Sequence, residues 1–206
     1  MTIRTLTRRA ALVAATATAA FVLTACGGSS DDSAGHTGNG ATASPTAAVT
    51  AGAHNAQDVS FAQAMIPHHQ QALEMAKLAA SRASSAQVKD LAARIEKAQD
   101  PEITTMTGWL KAWGEDMPMA GMDHSGHSGM PGMMSTAHMD EMKKMSGKAF
   151  DTMFLTMMVE HHKGAVEMAT TEKNKGQYGA ATSMADGIVT AQNAEIKEMN
   201  QLLGKS

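Results

Sequence analysis

The feature that most constrains this chain is a helical hairpin that occurs twice, at an offset of 93 residues. Residues 61–76 read FAQAMIPHHQQALEMA, and residues 154–169 read FLTMMVEHHKGAVEMA. The same offset relates the next helical segments without a gap, so that Glu102 corresponds to Glu195. Two similar hairpins, each with one apolar face, are expected to bury those faces against each other. The repeat therefore predicts an all-α four-helix bundle with pseudo-two-fold symmetry.

The first helix carries the first copy of the repeated motif. Asn55 is a good N-cap residue, and Asp58 lies three residues later, where it can complete a capping box. Apolar residues then recur at spacings of four and three, which is the seam of a helix packed in a bundle. His68 falls in that seam, and His69 lies one turn after Met65. Pro67 removes a backbone donor and predicts a kink just before the histidines.

The remaining helices follow from the same pattern. A second helix is predicted over residues 86–113, with a bend at Pro101, and a short one over residues 137–145. Two more long helices are predicted over residues 148–174 and 177–203. The predicted domain spans residues 57–204, with a first hairpin at 57–113, a Met/His-rich loop at 114–136 and a second hairpin at 137–204.

The N-terminus resembles an export signal. Three arginines precede an apolar run at residues 10–24 that is too short to anchor the chain in a bilayer. Cys26, the only cysteine, follows small residues as in a bacterial lipobox, which predicts a lipoprotein signal over residues 1–25 and lipidation at Cys26. Plain secretion with a leftover thiol is the alternative. Residues 26–56 are rich in Gly, Ser, Thr and Ala and predict a disordered tether to the outer face of the membrane.

The paired histidines point to a metal, because imidazole nitrogen and thioether sulfur both suit Cu(I), and imidazole also suits Cu(II) and zinc. Zinc would normally need cysteine or carboxylate ligands as well, and the domain has no cysteine. The structural alternative is that methionines only fill a core and that seam histidines are ordinary core residues. Packing alone would be served as well by leucine, and it does not explain a doubled His-His motif.

The connecting loop adds further soft donors among Gly, Pro, Ser and Asp, where the sequence predicts no core to bury them. Exposed methionine clusters are unfavourable unless they bind something. The alternative is a methionine-rich contact surface. The predicted auxiliary metal-binding residues are Met117, Met119, Met122, His124, His127, Met130, Met133, Met134 and His138.

Glu102 and Glu195 approach the inward faces of their helices. They are expected either to hydrogen-bond the histidines or to ligate the metal directly.

The doubled pattern M-x-x-H-H-x-x-A-x-x-M-A resembles bacterial domain-of-unknown-function family number 305, over roughly residues 55–204. The resemblance implies a ferritin-like four-helix bundle, an extracytoplasmic location and, in some members, copper binding through Met and His. The positions implied here are Met65, His68, His69, Met75, Met158, His161, His162 and Met168. Pro67 has Glu160 as its counterpart, so the two copies are expected to differ.

Three functions remain open. The first is a lipid-anchored copper-binding protein that sequesters copper, favouring Cu(I) over Cu(II), or passes it to another copper protein. The second is a metal-dependent oxidase, although the Glu-x-x-His pattern of di-iron bundles is absent around the motif. The third is a metal-free structural or partner-binding bundle. A formal net charge of -3 gives no reason to expect nucleic acid as a partner, and the sequence does not predict an oligomeric state.

Overall fold

A computed structural model of the chain describes residues 52–118 and 130–205. The helices in these ranges are α1 (Ala56–Arg82), α2 (Ala86–Trp113), α3 (Thr136–Lys144), α4 (Gly147–Lys175) and α5 (Gly179–Leu202). Across the described ranges no strand occurs, and no helix is long and apolar enough to cross a membrane. The prediction of an all-α bundle is confirmed, with the short α3 added to four long helices. The predicted signal peptide, Cys26 and nearly all of the tether lie outside the described residues.

Local signals set the start of α1 and both ends of α2 as predicted. The Asn55 side chain accepts hydrogen bonds from the backbone N–H groups of Gln57 and Asp58, and the Asp58 side chain accepts one from the Asn55 N–H, at 2.6 Å. This is the predicted capping box. The N-cap of α2 is Ser85, and its C-cap is Gly114, whose φ of 74° is the left-handed conformation that glycine adopts easily. The predicted range of α2, 86–113, is confirmed.

The bundle is two hairpins packed through their first helices. α1 packs along α2, α4 packs along α5, and the main contact between the hairpins is that of α1 with α4. The start of α1 lies against the link between α4 and α5, and the start of α4 lies against the link between α1 and α2. α1 and α4 are therefore antiparallel, which is compatible with the predicted pseudo-two-fold symmetry.

A buried aspartate from each hairpin holds the turn of the other. Asp58 accepts backbone hydrogen bonds from residues 177–178, the shortest at 2.9 Å from the Tyr178 N–H. Asp151 accepts two at 3.0 Å from the backbone of residues 84–85. The two aspartates are related by the repeat offset, and so are the backbone groups that donate to them. Helix capping alone was enough to account for Asp58 in the sequence, so its second role, as a clamp between hairpins, is a finding of the structure.

The core consists of two apolar clusters, one at each end of the α1–α4 contact. The first cluster is built around Met75, Leu91, Ile95, Phe150, Phe154, Met158 and Met199. The second is built around Phe61, Met65, Met106, Leu110, Ala165 and Ile188. The repeat offset relates many of these positions, including Met65 with Met158 and Met106 with Met199, so each cluster uses matching residues from opposite hairpins.

The predicted Met/His-rich loop is partly packed, which corrects the expectation that it has no core. Residues 130–134 are half-buried, Met134 packs against the first cluster, and Met139 and Met142 of α3 are buried. The physical reason is that side chains of α1 bind the backbone of this segment. Met117, before the undescribed part of the loop, is 38% exposed.

Candidate metal centre

A polar layer separates the two apolar clusters. Each long helix contributes two polar side chains to it, at positions that the repeat offset relates. They are His68 and His69 of α1, Gln99 and Glu102 of α2, His161 and His162 of α4, and Gln192 and Glu195 of α5. The histidines and glutamines are at most 3% exposed. Eight polar side chains in the middle of a bundle core need partners, because an unpaired buried polar group is unfavourable.

Two of the histidines are held by glutamates in the same way. His69 Nε2 lies 2.7 Å from Glu102 Oε2, and His162 Nε2 lies 2.7 Å from Glu195 Oε2. A carboxylate oxygen only accepts, so each Nε2–H donates, and in the neutral form of the ring the lone pair is on Nδ1. Those two Nδ1 atoms are buried without a hydrogen-bond partner among the described residues. A carboxylate that orients an imidazole in this way is a common arrangement behind a metal-binding nitrogen.

The other two histidines meet between α1 and α4. The ring centroids of His68 and His161 are 3.7 Å apart, with the ring planes inclined by 38°. His68 Nε2 donates to the carbonyl oxygen of Pro131 at 3.2 Å. His68 Nδ1 and both ring nitrogens of His161 have no partner within the described part of the chain.

Burial keeps this histidine pair neutral. Removal from water, followed by the effect of the neighbouring His69, lowers the pKa of His68 to about 3. Burial, and after it the neighbouring His68, also holds the pKa of His161 well below its usual range. A neutral imidazole carries one N–H and one lone pair. Each ring of the pair therefore offers a lone pair at physiological pH.

The unsatisfied atoms fit a cation. Five ring nitrogens of the four histidines lack a partner among the described residues, as do the Oε1 atoms of Gln99 and Gln192. Leaving such an atom unpaired costs about 1–3 kcal/mol, and native proteins rarely do so without a reason. Nitrogen lone pairs of this kind suit copper or zinc. However, no three His, Cys, Asp or Glu side chains within residues 52–118 and 130–205 are placed to hold an ion by themselves. An ion here would need a low coordination number or thioether ligands.

The predicted methionine ligands lie on either side of the polar layer. Met65, Met75 and Met158 are fully buried, and Met168 is partly buried. Met65 and Met168 belong to the second cluster, Met75 and Met158 to the first. The structure thus brings the four histidines and two glutamates into one layer and places the thioethers in the apolar clusters beside it.

The predicted auxiliary residues are spread more widely. Met130, Met133 and Met134 lie in the half-buried segment beside His68, His138 is exposed on α3, and Met117 is exposed before the gap. Met119, Met122, His124 and His127 lie outside the described residues.

Sequence reasoning missed the contribution of Gln71 and Gly164 to this region. Gln71 binds the backbone of Met134 with both ends of its amide, and Gly164 packs directly against Pro131. The two positions correspond to each other at the repeat offset, where the sequence changes from Gln to Gly. A glycine inside a predicted helix, at the place of a long amide in the other copy, was the available signal.

The family model described as Domain of unknown function (DUF305) matches residues 58–203. The chain belongs to this family. No curated protein matches it significantly.

Solved structures agree with this assignment. A DUF305 protein from Streptomyces coelicolor is 34% identical, with a TM-score of 0.65, over 72% of this chain and 93% of the relative. A DUF305 fragment from Deinococcus radiodurans is 30% identical, with a TM-score of 0.66, over 74% and 98%. CopM in its Cu(II)-bound form is 35% identical, with a TM-score of 0.62, over 70% and 94%. CopM has also been solved in Cu(I)-bound and Ag-bound forms.

Proposed function

We propose that this chain is an extracytoplasmic, lipid-anchored copper-binding protein whose buried histidine layer holds the ion. The observation that carries the proposal is the set of ring nitrogens on His68, His69, His161 and His162 that have no partner among the described residues. Their placement at repeat-related positions of a buried core is hard to explain by packing, because each unpaired atom destabilises the fold. The similarity to CopM, solved with Cu(I), Cu(II) and silver, supports copper as the ion.

The donor set favours Cu(I) over Cu(II). The rings of His68 and His161 are neutral, the layer is apolar on both sides, and the two glutamates are already occupied by His69 and His162. A monovalent soft ion needs fewer ligands and less charge compensation than a divalent one in such a site. Thioethers of the adjoining clusters are suitable additional ligands for Cu(I).

The glutamates have a supporting role in this proposal. Each carboxylate accepts the Nε2–H of its histidine. This hydrogen bond fixes the tautomer and leaves Nδ1 available as a ligand. Glu102 and Glu195 therefore act on the ion through His69 and His162.

The N-terminal sequence and one relative support the proposed location. Residues 1–25 have the pattern of a lipoprotein signal with Cys26 as the lipidated residue, and the relative from Streptomyces coelicolor is described as a secreted protein. We expect the wild type in the membrane fraction and the Cys26→Ser variant outside it. Equal partition of both would exclude lipid anchoring while leaving copper binding open.

The function is tested by titrating the full domain with Cu(I) against a competing chelator. A variant with Gln at positions 68, 69, 161 and 162 is expected to lose affinity by at least about 100-fold, because all four nitrogen ligands are removed. The matched control replaces His54 and His138, which lie outside the layer, by Gln. Helical circular dichroism shows whether each variant is folded.

Equal affinity of the folded quadruple variant and the wild type would refute a histidine centre. Absence of Cu(I) binding in every protein, together with unchanged copper tolerance of cells, would favour a metal-free bundle.

The main alternative is a metal-dependent oxidase, which is favoured by the two Glu–His pairs inside one bundle core. We propose binding rather than catalysis because both glutamates are engaged with histidine. Oxygen consumption by the Fe(II)- or Cu(I)-loaded domain separates the two: sustained turnover would favour the oxidase, and none is expected.

A further inference from the structure

Residues 130–134, called the strap from here on, cross the α1–α4 contact directly over the histidine pair. The Pro131 carbonyl oxygen accepts the Nε2–H of His68 at 3.2 Å. Three residues later, at Met134, the chain reaches Gln71, one turn further along α1. The strap therefore spans the place where the two hairpins meet.

Gly164 gives the strap its seat on α4. A Cβ at position 164 would lie 2.0 Å from the carbonyl oxygen of Pro131 and 2.7 Å from the backbone nitrogen of Gly132. Both are backbone atoms and cannot yield by rotating a side chain. Gly132 itself has a φ of 78°, and a Cβ there would lie 2.7 Å from the carbonyl oxygen of Glu160. Two glycines are thus needed for the strap to lie this close to α4.

Gln71 fastens the strap to α1. Its Nε2 donates to the carbonyl oxygen of Met134 at 2.9 Å, and its Oε1 accepts the Met134 N–H at 2.7 Å. Gln71 is only 4% exposed, so both bonds are shielded from water. Gln71 and Gly164 occupy equivalent positions of the repeat, and one strap crosses both. The pseudo-two-fold symmetry is broken here because a single strap cannot be bound identically by both hairpins.

We propose that Gln71 and Gly164 are positioning residues of the histidine centre, which seat the strap so that a soft cation reaches His68 and His161 only when the strap is displaced. The proposal rests on the proposed function, because it concerns access to the same site. Its basis is geometric: both rings are at most 1% exposed, and the strap carbonyl engages the Nε2–H of His68.

Displacement of the strap has a direct chemical consequence. With Pro131 in place, Nε2 of His68 carries the hydrogen and cannot be a ligand. When the strap moves away, the neutral ring is free to exchange tautomers and present either nitrogen. Because the strap belongs to the Met/His-rich segment, the same movement also changes the position of Met130, Met133 and Met134.

Two pairs of variants test the proposal. Gly164→Ala forces the strap off α4, and its control is Gly187→Ala, in α5, where an added Cβ meets no atom within 4 Å. Gln71→Ala removes both bonds to Met134, and its control is Gln63→Ala. Gln63 donates to the Asp116 carbonyl oxygen on the other side of the same loop. Gln71→Glu keeps the acceptor for the Met134 N–H and loses the donor, so it should behave between the wild type and Gln71→Ala.

Two readouts are needed, one without metal and one with it. In the metal-free protein, hydrogen exchange at the Met134 amide should accelerate about ten-fold in Gly164→Ala and Gln71→Ala, since each loses strap contacts. In the readout with metal, Cu(I) is transferred from a coloured chelator complex to the protein. The uptake rate of Gly164→Ala and Gln71→Ala should rise about ten-fold over the wild type, with unchanged stoichiometry. A purely structural role would not raise the uptake rate.

The outcomes distinguish this inference from the proposed function. No uptake by any protein, wild type included, would refute the proposed function and the access role with it. Normal uptake at the wild-type rate in both strap variants, with faster Met134 exchange, would overturn the access role alone. Unchanged Met134 exchange would overturn the placement of the strap. Faster uptake in the control variants as well would assign the effect to the loop in general and contradict the role of Gln71 and Gly164.

Discussion

The two hairpins are alike in the polar layer and unlike beside it. Both provide a His–Glu pair with the same 2.7 Å contact and a buried aspartate that clamps the turn of the other hairpin. They differ where one hairpin has Gln71 and Ala79 and the other has Gly164 and Glu172. The duplicated features thus hold the bundle and the candidate centre, whereas the unmatched residues serve parts of the molecule that occur once.

The second unmatched pair makes one end of the bundle acidic. Glu172 is fully buried and faces Asp58, whereas the equivalent place beside Asp151 has Ala79. Burial, followed by the interaction with Asp58, raises the pKa of Glu172 to about 8. Burial alone would raise the pKa of Asp58, but hydrogen bonds from Asn55, from Glu172 and from residues 177–178 lower it overall. One proton is therefore held on Glu172 at neutral pH.

The largest expected effect comes from breaking the two clamps in turn. Asp151→Ala leaves the backbone N–H groups of residues 84–85 without their acceptor and should cost about 4 kcal/mol of unfolding free energy. Asp58→Ala should cost more, because it also removes the acceptor of the Asn55 N–H and the favourable contact with the protonated Glu172. Urea unfolding of both variants at pH 7 measures the difference. Equal losses would mean that the contact between Asp58 and Glu172 adds no net stability.

The pH dependence of stability distinguishes the end of the bundle that contains Glu172 from the end that contains Ala79. Between its unfolded pKa near 4.5 and its folded pKa of about 8, Glu172 keeps a proton that the unfolded chain has lost. Stability should therefore fall as pH rises, by about 3 kcal/mol between pH 5 and 8. Glu172→Gln should remove this slope, and exposed Glu167→Gln should not. The slope is read from urea unfolding at each pH. A wild-type slope that survives in Glu172→Gln would contradict the assignment.

The His–Glu pairs provide a smaller, symmetric test. Glu102→Gln and Glu195→Gln should each weaken Cu(I) binding by about 10- to 100-fold, because the histidine loses its orienting carboxylate. Glu195 is the less exposed of the two, 15% against 27%, so its variant should show the larger loss. Competition titration gives both affinities. If only one variant is affected, the two copies are not equivalent ion sites.

The smallest effect is expected at Pro67. Its counterpart is Glu160, and α1 continues through the proline although the backbone hydrogen bond is missing there. Pro67→Ala should therefore stabilise the protein by about 1 kcal/mol, whereas Glu160→Ala should change it by less than about 0.5 kcal/mol. Thermal unfolding compares the two. Destabilisation by Pro67→Ala would show that the layer needs the local backbone shape that proline imposes.

Local signals made much of the fold predictable. The Asn55 capping box and the apolar spacing placed the start of α1 and the range of α2 correctly, because caps and periodicity act within a few residues. The repeat offset then fixed the second hairpin. It also pointed to Glu102 and Glu195, since both lie near the inward face of their helices and recur at that offset.

The missed features depend on contacts between distant segments. The roles of Asp151 and of Gln71 require knowing which turn or loop packs against them, and neither residue lies in an apolar stripe. The strap was expected to be exposed because its composition is that of a loop. Its burial follows from Gly164, whose missing side chain matters only when another backbone approaches. In the sequence, long-range contacts of this kind are visible only as positions where the two copies differ, or where a repeated residue has no local explanation.

The most direct test of the central claim is nitrogen NMR of the chain labelled with ¹⁵N-histidine, recorded before and after one equivalent of Ag(I). We expect Nδ1 resonances of His69 and His162 and ring resonances of His68 and His161 to shift as lone pairs are taken up by the ion, while His54 and His138 stay unchanged. Shifts confined to His54, His138 or the histidines of the loop, with the four buried rings unaffected, would contradict a metal centre in the polar layer.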